Sequence, residues 1–351
     1  MKKFIYVLAL AAVASLNAFA QEDVQQAAAE AAKEISEAPQ IEAPAPKPNY
    51  WNHSLMTNVN FTQTALTSWA AGGYDNLTLS AYVDGNANYE KGKMVWKNRL
   101  QLDYGFLYSE DKPIFQKNKD RIYFESKWGY DTPVKNLKYS ASFDFKTQFD
   151  NNYTYGTPSV SNPSRQDWKD ARTLKSGLLS PGYVTLGLGL DWTPKKWLSV
   201  NVAPLTGGVV IVEDELLRKG YGMEIKDQDA YDAAVAGGET DLGGYYKSSR
   251  FELGAQMKVN GDFTINDNFK YSTQLVLFSN YLKNPQNVRV NWDNKVFWKL
   301  AKYFTLTFST NLIYDDTVHI TDDDHANGWR TVQFKEVLEL GFSYTIATKK
   351  K

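Results

Sequence analysis

Apolar and polar residues alternate along most of the chain after Trp51. In the segment that starts at Leu77, Leu79 and Val83 fall on one face of an extended chain, whereas Ser80 and Asp84 fall on the other. A period of two is the period of a β-strand, and the segments run for about ten residues, the length that spans a membrane as a tilted strand. The alternation therefore predicts strands with one apolar and one polar face.

The same pattern recurs about twelve times, and the connections between the segments alternate in length. The predicted strands start near residues 54, 77, 96, 121, 137, 184, 198, 250, 269, 288, 304 and 332. Short connections are predicted at Glu90–Lys93, Asp131–Asn136, Thr193–Lys196, Asn266–Asn268 and Ala301–Tyr303. Longer ones are predicted at Ser68–Asn76, Ser109–Asp120, Asp150–Ser180, Leu205–Ser248, Leu282–Asn287 and Asp315–Arg330. Short turns at one end and longer loops at the other are typical of outer-membrane barrels.

These observations predict an all-β fold, a transmembrane antiparallel up-and-down β-barrel of about 12 strands over residues 51–351. A soluble, secreted β-sandwich would also alternate. Tryptophans on the apolar faces, at positions 96, 128, 192 and 298, and many charges on the polar faces favour the barrel. Because an unpaired strand edge in lipid leaves backbone groups without hydrogen bonds, the sheet must close on itself.

Composition narrows the class further. The mean hydropathy of -0.47 excludes a bundle of transmembrane helices. It is compatible with a barrel, because only every second strand residue contacts lipid. Aromatic residues make up 14% of the chain, which suits strands and membrane interfaces. A net charge of -1 gives no reason to expect a nucleic-acid partner, and without cysteine the exported chain cannot form disulfides.

The first fifty residues have a different composition. Lys2 and Lys3 precede an apolar run, Phe4–Leu16, and Ala18–Ala20 provides a small-residue cleavage site. Residues 1–20 are therefore predicted to be a signal peptide that exports the chain to the outer membrane of a Gram-negative bacterium. Residues 21–50, rich in Ala, Glu and Pro, are predicted to be a flexible periplasmic linker, although a partner-binding helix is an alternative.

The residue pattern contains no clear catalytic or cofactor-binding constellation. The histidines are His53, His319 and His325, and none lies opposite a strand serine at an obvious spacing. We therefore expect neither an enzyme nor a cofactor, with a barrel-borne lipid-acting enzyme as a third possibility after the two functions below. The acidic segment Asp315–Asp324 is either a divalent-cation site or a solvated loop tip.

The polar faces of the predicted strands carry the strongest functional signal. The predicted lumen-lining residues are Arg99, Asp103, Glu125, Lys127, Asp144, Lys146, Arg250, Glu252, Arg289, Asp293 and Lys295. They form either a narrow pore with a mild excess of cations or an interior filled by mutual ion pairs. The first arrangement predicts a passive channel for small solutes.

The alternative function is a structural or assembly subunit of an outer-membrane complex. Besides outer-membrane lipid, its partners would be other envelope proteins, contacted through residues 21–50 or the long loops. The loops Asp150–Ser180 and Leu205–Ser248 distinguish the two functions, because loops that fold inward constrict a pore and loops that project suit a partner.

Several segments resemble a family of uncharacterised outer-membrane β-barrels that is common in Bacteroidota and is known only as a domain of unknown function. The segments that carry the resemblance are Trp69–Gly73 with Asn76, Ala203–Gly207, Leu277–Trp292 and Asn311–Asp316. The chain departs from the family pattern at Gly208 and the valines after it, where a basic or aromatic residue is expected. The resemblance implies the barrel fold and no particular activity.

Overall fold

The structure, a computed structural model, describes residues 49–64, 75–315 and 332–347. The predicted signal peptide, the linker up to residue 48, two of the three histidines and most of the acidic segment 315–324 lie outside these residues, as do residues 69–73 of the resemblance. Among the described residues, none of the helices has both the length and the apolar character needed to cross a membrane.

Twelve antiparallel strands form a closed barrel, as the alternation predicts. The strands in chain order are β1 (Trp51–Thr64), β2 (Asn76–Lys91), β3 (Met94–Ser109), β4 (Lys112–Asp131), β5 (Leu137–Thr147), β6 (Asn152–Tyr155), β7 (Arg172–Ser176), β8 (Gly182–Lys195), β9 (Leu198–Ile211), β10 (Ser249–Thr264), β11 (Phe269–Asn280), β12 (Val288–Lys299), β13 (Phe304–Tyr314) and β14 (Gln333–Ala347). Strands β6 and β7 form a separate hairpin, so β5 pairs with β8 in the barrel.

Strands β1 and β14 close the barrel through a continuous antiparallel register from Ser54↔Ala347 to Asn60↔Gly341. Closure gives every barrel strand two hydrogen-bonded neighbours and removes the free edges that lipid would not tolerate. Strand order otherwise follows chain order, which is the up-and-down topology expected from short connections.

The burial pattern is inverted relative to a water-soluble domain. On β8, Leu186, Leu188 and Leu190 point outward and are 60%, 55% and 41% exposed, whereas Asp191 points inward and is 4% exposed. Asn60, Ser80 and Gln101 are among the other buried polar side chains. The apolar faces read from the sequence thus form the outer wall, and the polar faces form the interior.

The two ends of the barrel differ in their connections. At one end, here called the turn end, the connections are Gly92–Lys93, Thr132–Asn136, Lys196–Trp197, Ile265–Asn268 and Leu300–Tyr303. The opposite end, here called the loop end, carries the two long connections 148–181 and 212–248. The predicted asymmetry of short turns and longer loops is therefore present.

One predicted loop, Ser109–Asp120, is wrong. Strand β4 starts at Lys112, so only Glu110 and Asp111 connect β3 to β4. The register shifts between Gly105 and Phe106, because Gly105 pairs with Lys119 and Phe106 with Lys117. Asn118 is the extra residue of this bulge, and because of it the apolar residues before and after position 118 do not follow one continuous alternation. That phase change makes a continuous strand look like an irregular polar segment.

The start of a second predicted loop, Leu205–Ser248, is also wrong, because β9 continues to Ile211. A bulge lies beside Pro204: Gln256 pairs with Ala203, whereas Gly254 pairs with Thr206. Thr206 Oγ1 donates to the Ala203 carbonyl oxygen at 2.9 Å within this bulge. Proline lacks an N–H group and is tolerated in a sheet at bulges, so the Pro-Leu-Thr-Gly sequence that suggested a turn is part of a strand.

Both long connections are folded. Connection 148–181 carries the β6–β7 hairpin and helix α1 (Arg165–Asp170), whose N-terminus is closed by reciprocal hydrogen bonds between Ser164 and Asp167. These bonds hold the pKa of the Asp167 carboxyl below its ordinary value. Connection 212–248 carries helices α2 (Glu215–Arg218) and α3 (Gln228–Ala236) and a 3-10 turn (Gly243–Tyr245).

Connection 212–248 has a small core of its own. Val212, Leu217, Met223 and Tyr246 are buried together against the end of β9. The buried Arg218 guanidinium donates to the carbonyl oxygens of Val212 at 3.2 Å and Glu213 at 3.0 Å. The two carbonyl oxygens have no hydrogen-bond partner within the described strands and helices, so the Arg218 side chain takes that role and holds the long connection in a defined shape.

Candidate functional site

The lumen contains a cavity of about 460 Å³ near the loop end, here called the loop-end cavity. Its wall consists of inward-facing side chains of the barrel, such as Asp103, Lys146 and Asn311. The long connections contribute to it as well, through Ser176 and Tyr221. The Tyr221 hydroxyl donates to the Lys175 carbonyl oxygen at 3.0 Å, which ties connection 212–248 to strand β7 of connection 148–181. The long connections therefore fold over the lumen.

A second cavity, of about 240 Å³, lies near the turn end and is here called the turn-end cavity. Lys97, Arg99, Glu125 and Lys127 line it, together with Trp197 from the β8–β9 turn. The two cavities have no lining residue in common. A layer of side chains that reach across the interior lies between them.

Lys258 is the centre of that layer. Its ammonium group, on β10, lies 2.7 Å from an Asp144 oxygen on β5 and 3.1 Å from a Glu125 oxygen on β4. It also lies 3.4 Å from the Tyr123 hydroxyl. Strands β8 and β9 stand between β10 and β5 in the wall, so these contacts cross the interior instead of following the sheet. The Lys258 side chain is 5% exposed.

A second group of hydrogen bonds completes the layer. Arg99 Nε donates to Asp84 at 2.9 Å, the Tyr82 hydroxyl donates to Asp84 at 3.0 Å, and the Gln101 amide donates to Tyr82 at 2.9 Å. Tyr82 borders the loop-end cavity and Arg99 borders the turn-end cavity. The ion-pair layer is defined here as Tyr82, Asp84, Arg99, Gln101, Tyr123, Glu125, Asp144 and Lys258.

Charges around the loop-end cavity are only partly paired. Lys119 of β4 bridges to Glu339 of β14, and Arg121 pairs with Asp103 at 2.8 Å. The other cations on this wall are Lys146, Lys295 and Lys335, and none of them forms an ion pair with a carboxylate within the described part of the chain. The loop-end cavity thus combines polar walls with positive charge that the described carboxylates leave uncompensated.

Buried acceptors on one wall of the same cavity are left without partners. Asn58 Oδ1, Asn60 Oδ1 and Thr307 Oγ1 are buried and have no hydrogen-bond partner in the structure. The two amide oxygens converge on Gly341, where an added Cβ atom would meet both Asn60 Oδ1 and Asn58 Oδ1. Glycine fits this position of β14 without displacing the inward-facing amides, whereas any larger residue would push them aside.

A third cluster fastens the folded loop to the barrel wall. Glu252 accepts from Arg250 and from Arg289, each at 3.1 Å, and Arg250 also donates to the Gly222 carbonyl oxygen at 2.9 Å. The Arg289 guanidinium lies over the Phe278 ring at 4.5 Å. Phe278 thus points inward from β11, and its ring stabilises a lumen cation.

The structure distributes the predicted lumen-lining residues over four places. Asp103, Lys146, Asp293 and Lys295 lie on the loop-end cavity, and Arg250, Glu252 and Arg289 form the cluster that holds connection 212–248. Arg99, Glu125 and Asp144 belong to the ion-pair layer, and Lys127 pairs with Asp191 at 2.8 Å on the turn-end side.

Sequence reasoning missed several residues of the site. Tyr82 and Tyr123 occupy polar-face positions of their strands, so the period of two contains the signal, although aromatic residues suggest the lipid face. Lys119 lies inside the predicted loop Ser109–Asp120, so the sequence pattern does not assign it to a strand face. Tyr221 comes from a long connection and carries no periodic signal.

The hypothesis of a barrel-borne enzyme gains no geometric support from His53. Its ring stacks on Trp51, with ring centroids 5.7 Å apart, on the face of β1 that carries the exposed Leu55. Within residues 49–64, 75–315 and 332–347, no group of three His, Cys, Asp or Glu side chains is placed to hold a metal ion.

An apolar outer wall around a polar, charged lumen defines a membrane-spanning β-barrel. Residues 61–153 match the model of a family described as a protein of unknown function, DUF3078. The match includes the segment Trp69–Gly73, whereas the other segments of the resemblance lie beyond it. No curated protein matches the chain.

Solved structures similar to this chain are outer-membrane barrels of low sequence identity. The translocator domain of autotransporter NalP from Neisseria meningitidis is 8% identical with a TM-score of 0.36, over 92% of this chain and 97% of that one. The COG4313 outer membrane channel from Pseudomonas putida F1 is 9% identical with a TM-score of 0.34, over 87% and 99%. Outer membrane phospholipase A from Escherichia coli is 9% identical with a TM-score of 0.34, over 87% and 94%. Similarity at this level carries no information about function.

Proposed function

We propose that this protein is a passive channel for small polar solutes in the outer membrane of a Gram-negative bacterium. The turn end then faces the periplasm and the loop end faces the exterior. The predicted signal peptide agrees with this location. The lumen is narrowed at two levels, by the long connections at the loop end and by the ion-pair layer further in.

The observation that carries this proposal is the loop-end cavity beneath the folded connections. Its volume of about 460 Å³ suits a small molecule, since ligand pockets measure about 300–1,000 Å³. Tyr221 on its wall and the hydrogen bonds from Arg250 to connection 212–248 bring that long loop inward. Loops that fold inward constrict a pore, which favours transport over a docking surface for other envelope proteins.

The ion-pair layer acts as the constriction in this proposal. It consists of side chains, so a solute passes when side-chain rotation breaks the bridges from Lys258 to Glu125 and Asp144. Rotation of side chains does not require any rearrangement of the barrel wall. We therefore expect a small conductance that is limited by this layer.

Conductance of the purified protein in a planar bilayer tests the proposal. Wild type should show small single-channel steps, and Lys258→Ala should enlarge them, because it removes the group that bridges the lumen. Lys169→Ala, an exposed lysine on α1, is the matched control and should behave as wild type. A wild-type protein that is folded, inserted and electrically silent would overturn transport and leave the assembly-subunit hypothesis.

A further inference from the structure

Three cations meet at the loop-end cavity without enough carboxylates to balance them. Arg121 lies near enough to Lys146 and Lys295 for its charge to act on both, and Asp293 acts on both lysines with the opposite sign. Arg121 has Asp103 as its partner, whereas Lys295 lies over the Tyr82 ring at 4.2 Å and Lys146 has no ion pair in the described residues. Like charges in a confined cavity repel one another unless a negative group joins them.

The charge around the cavity can be counted. Within the described part of the chain its wall holds five cations and four carboxylates: Lys119, Arg121, Lys146, Lys295 and Lys335 against Asp103, Asp120, Asp293 and Glu339. Asp293 is the carboxylate of this set that lacks an ion pair, and it accepts from the Asn311 amide at 2.8 Å. The described wall therefore has one positive charge in excess. One of its carboxylates, Asp120, is also paired with Lys117, which is not part of the wall. Both facts favour a small anion in the cavity.

We propose that the loop-end cavity binds a small oxyanion, with a carboxylate or phosphate group held between Arg121, Lys146 and Lys295. This inference rests on the proposed channel function and names its solute class. Guanidinium and ammonium groups form short, charge-assisted hydrogen bonds to both kinds of oxyanion. The cavity wall also supplies neutral polar groups, such as Asn294 and Thr310, for the remainder of the solute.

Isothermal titration calorimetry on the full-length protein in detergent tests the inference with inorganic phosphate, citrate and glucose. The ionic strength is kept near 0.01 M, where the Debye length is about 30 Å and charges are weakly screened. Phosphate, citrate or both should bind, and a comparison of the two affinities shows whether the cavity prefers a phosphate or a carboxylate group. Glucose, a neutral solute, should not bind measurably.

The double variant Lys146→Met and Lys295→Met should weaken binding of the preferred anion by about tenfold or more, because two of the three donors lose their charge. Lys97→Met is the matched control: it is also a lumen lysine without an ion pair among the described residues, but it lies on the turn-end side of the layer. Its affinity should stay within about twofold of wild type. Heat-modifiable migration on gels verifies that each variant is folded.

The anion site would be overturned by the absence of any heat of binding with either anion, or by an equal loss of affinity in Lys97→Met and in the double variant. Glucose binding as tight as that of the anions would overturn it as well. Conductance measured on the same preparations separates this inference from the channel function. A protein that conducts but binds neither anion refutes the anion site alone, and a silent protein that binds an anion refutes the channel alone.

Discussion

Replacement of Lys258 by methionine tests whether the ion-pair layer is a coupled structure. The substitution keeps the length of the side chain and removes the ammonium group that joins Glu125 and Asp144. Both carboxylates are 13% exposed, and Lys258 is the cation within ion-pair distance of each among the described residues. Asp144 Oδ2 already lacks a partner in the wild type. The variant therefore leaves two buried negative charges facing each other.

The cost can be estimated from the burial of the pair. Removal of one partner of a buried ion pair destabilises a protein by about 3–5 kcal/mol, because the other charge stays buried and uncompensated. Cavities border the layer on both sides, so we expect a value near the lower limit, about 3 kcal/mol. That value corresponds to roughly a hundredfold change in the unfolding equilibrium constant.

Urea unfolding of the protein in lipid vesicles measures this effect. The triple variant Lys258→Met, Glu125→Gln and Asp144→Asn removes the charge from both sides and should recover most of the lost stability. Lys97→Met, a lysine without an ion pair in the described residues, should change stability by less than about 0.5 kcal/mol. A loss below about 1 kcal/mol in Lys258→Met, or a triple variant less stable than the single one, would show that the layer is not coupled.

Two further predictions concern the barrel wall. Leu188→Arg places a charge on the lipid-facing side of β8, where Leu188 is 55% exposed, and should destabilise the inserted barrel by about 2–4 kcal/mol. Lys146→Arg, on the lumen face, is the control and should insert normally. Equal heat-modifiable migration of the two variants would contradict the assigned faces. Gly341→Ala places a Cβ atom against the side-chain oxygens of Asn58 and Asn60, which are buried and must move aside. It should cost about 1 kcal/mol in urea unfolding, the lower limit for an overpacked site. Gly208→Ala, with no atom closer than 3.7 Å, is its control, and similar midpoints for both would refute the collision at Gly341.

The strands could be predicted from the sequence because lipid imposes a simple rule on the outer wall. Every second residue of a membrane strand must be apolar, and the rule holds along β8 from Leu186 to Leu190. Polar residues between them point into the lumen, so the same rule assigns both faces. Strand number and the asymmetry of the connections follow from counting the segments that obey it.

The prediction failed where a bulge changes the phase of the alternation. Asn118 on β4 and the bulge beside Pro204 on β9 each add one residue against the neighbouring strand. Beyond that point the apolar residues fall in the opposite phase, and a pattern search interprets the shift as the end of a strand. A search that allows one inserted residue would join Lys112–Asp120 to the rest of β4.

Pairing inside the lumen could not be predicted, because it depends on how strands distant in sequence face one another after closure. The hypothesis of a self-filled interior pairs the cations Arg99, Lys127, Lys146 and Arg289 with the carboxylates Asp103, Asp144 and Glu125. In the structure Arg99 pairs with Asp84 on the adjacent strand, and Lys127 pairs with Asp191 on β8. Gln101 appears in the sequence as an ordinary lumen position, yet it donates to Tyr82 within the layer.

The distribution of charge along the lumen leads to a last prediction, on ion selectivity. Both cavities have more cations than carboxylates on their described walls, whereas Asp84, Glu125 and Asp144 are concentrated in the layer between them. An anion is thus attracted from either side and is opposed mainly at the layer, where Lys258 neutralises part of the negative charge.

Wild type should therefore prefer chloride over potassium, and Lys258→Ala should weaken or reverse that preference while it enlarges the conductance. The reversal potential in a potassium chloride gradient measures the preference, with Lys169→Ala as the unchanged control. The preference should also fall as salt is raised from 0.1 M to 1 M, because the Debye length shortens from about 10 Å to about 3 Å. An enlarged conductance in Lys258→Ala with an unaltered reversal potential would show that Lys258 narrows the lumen sterically and that its charge plays no part in selectivity.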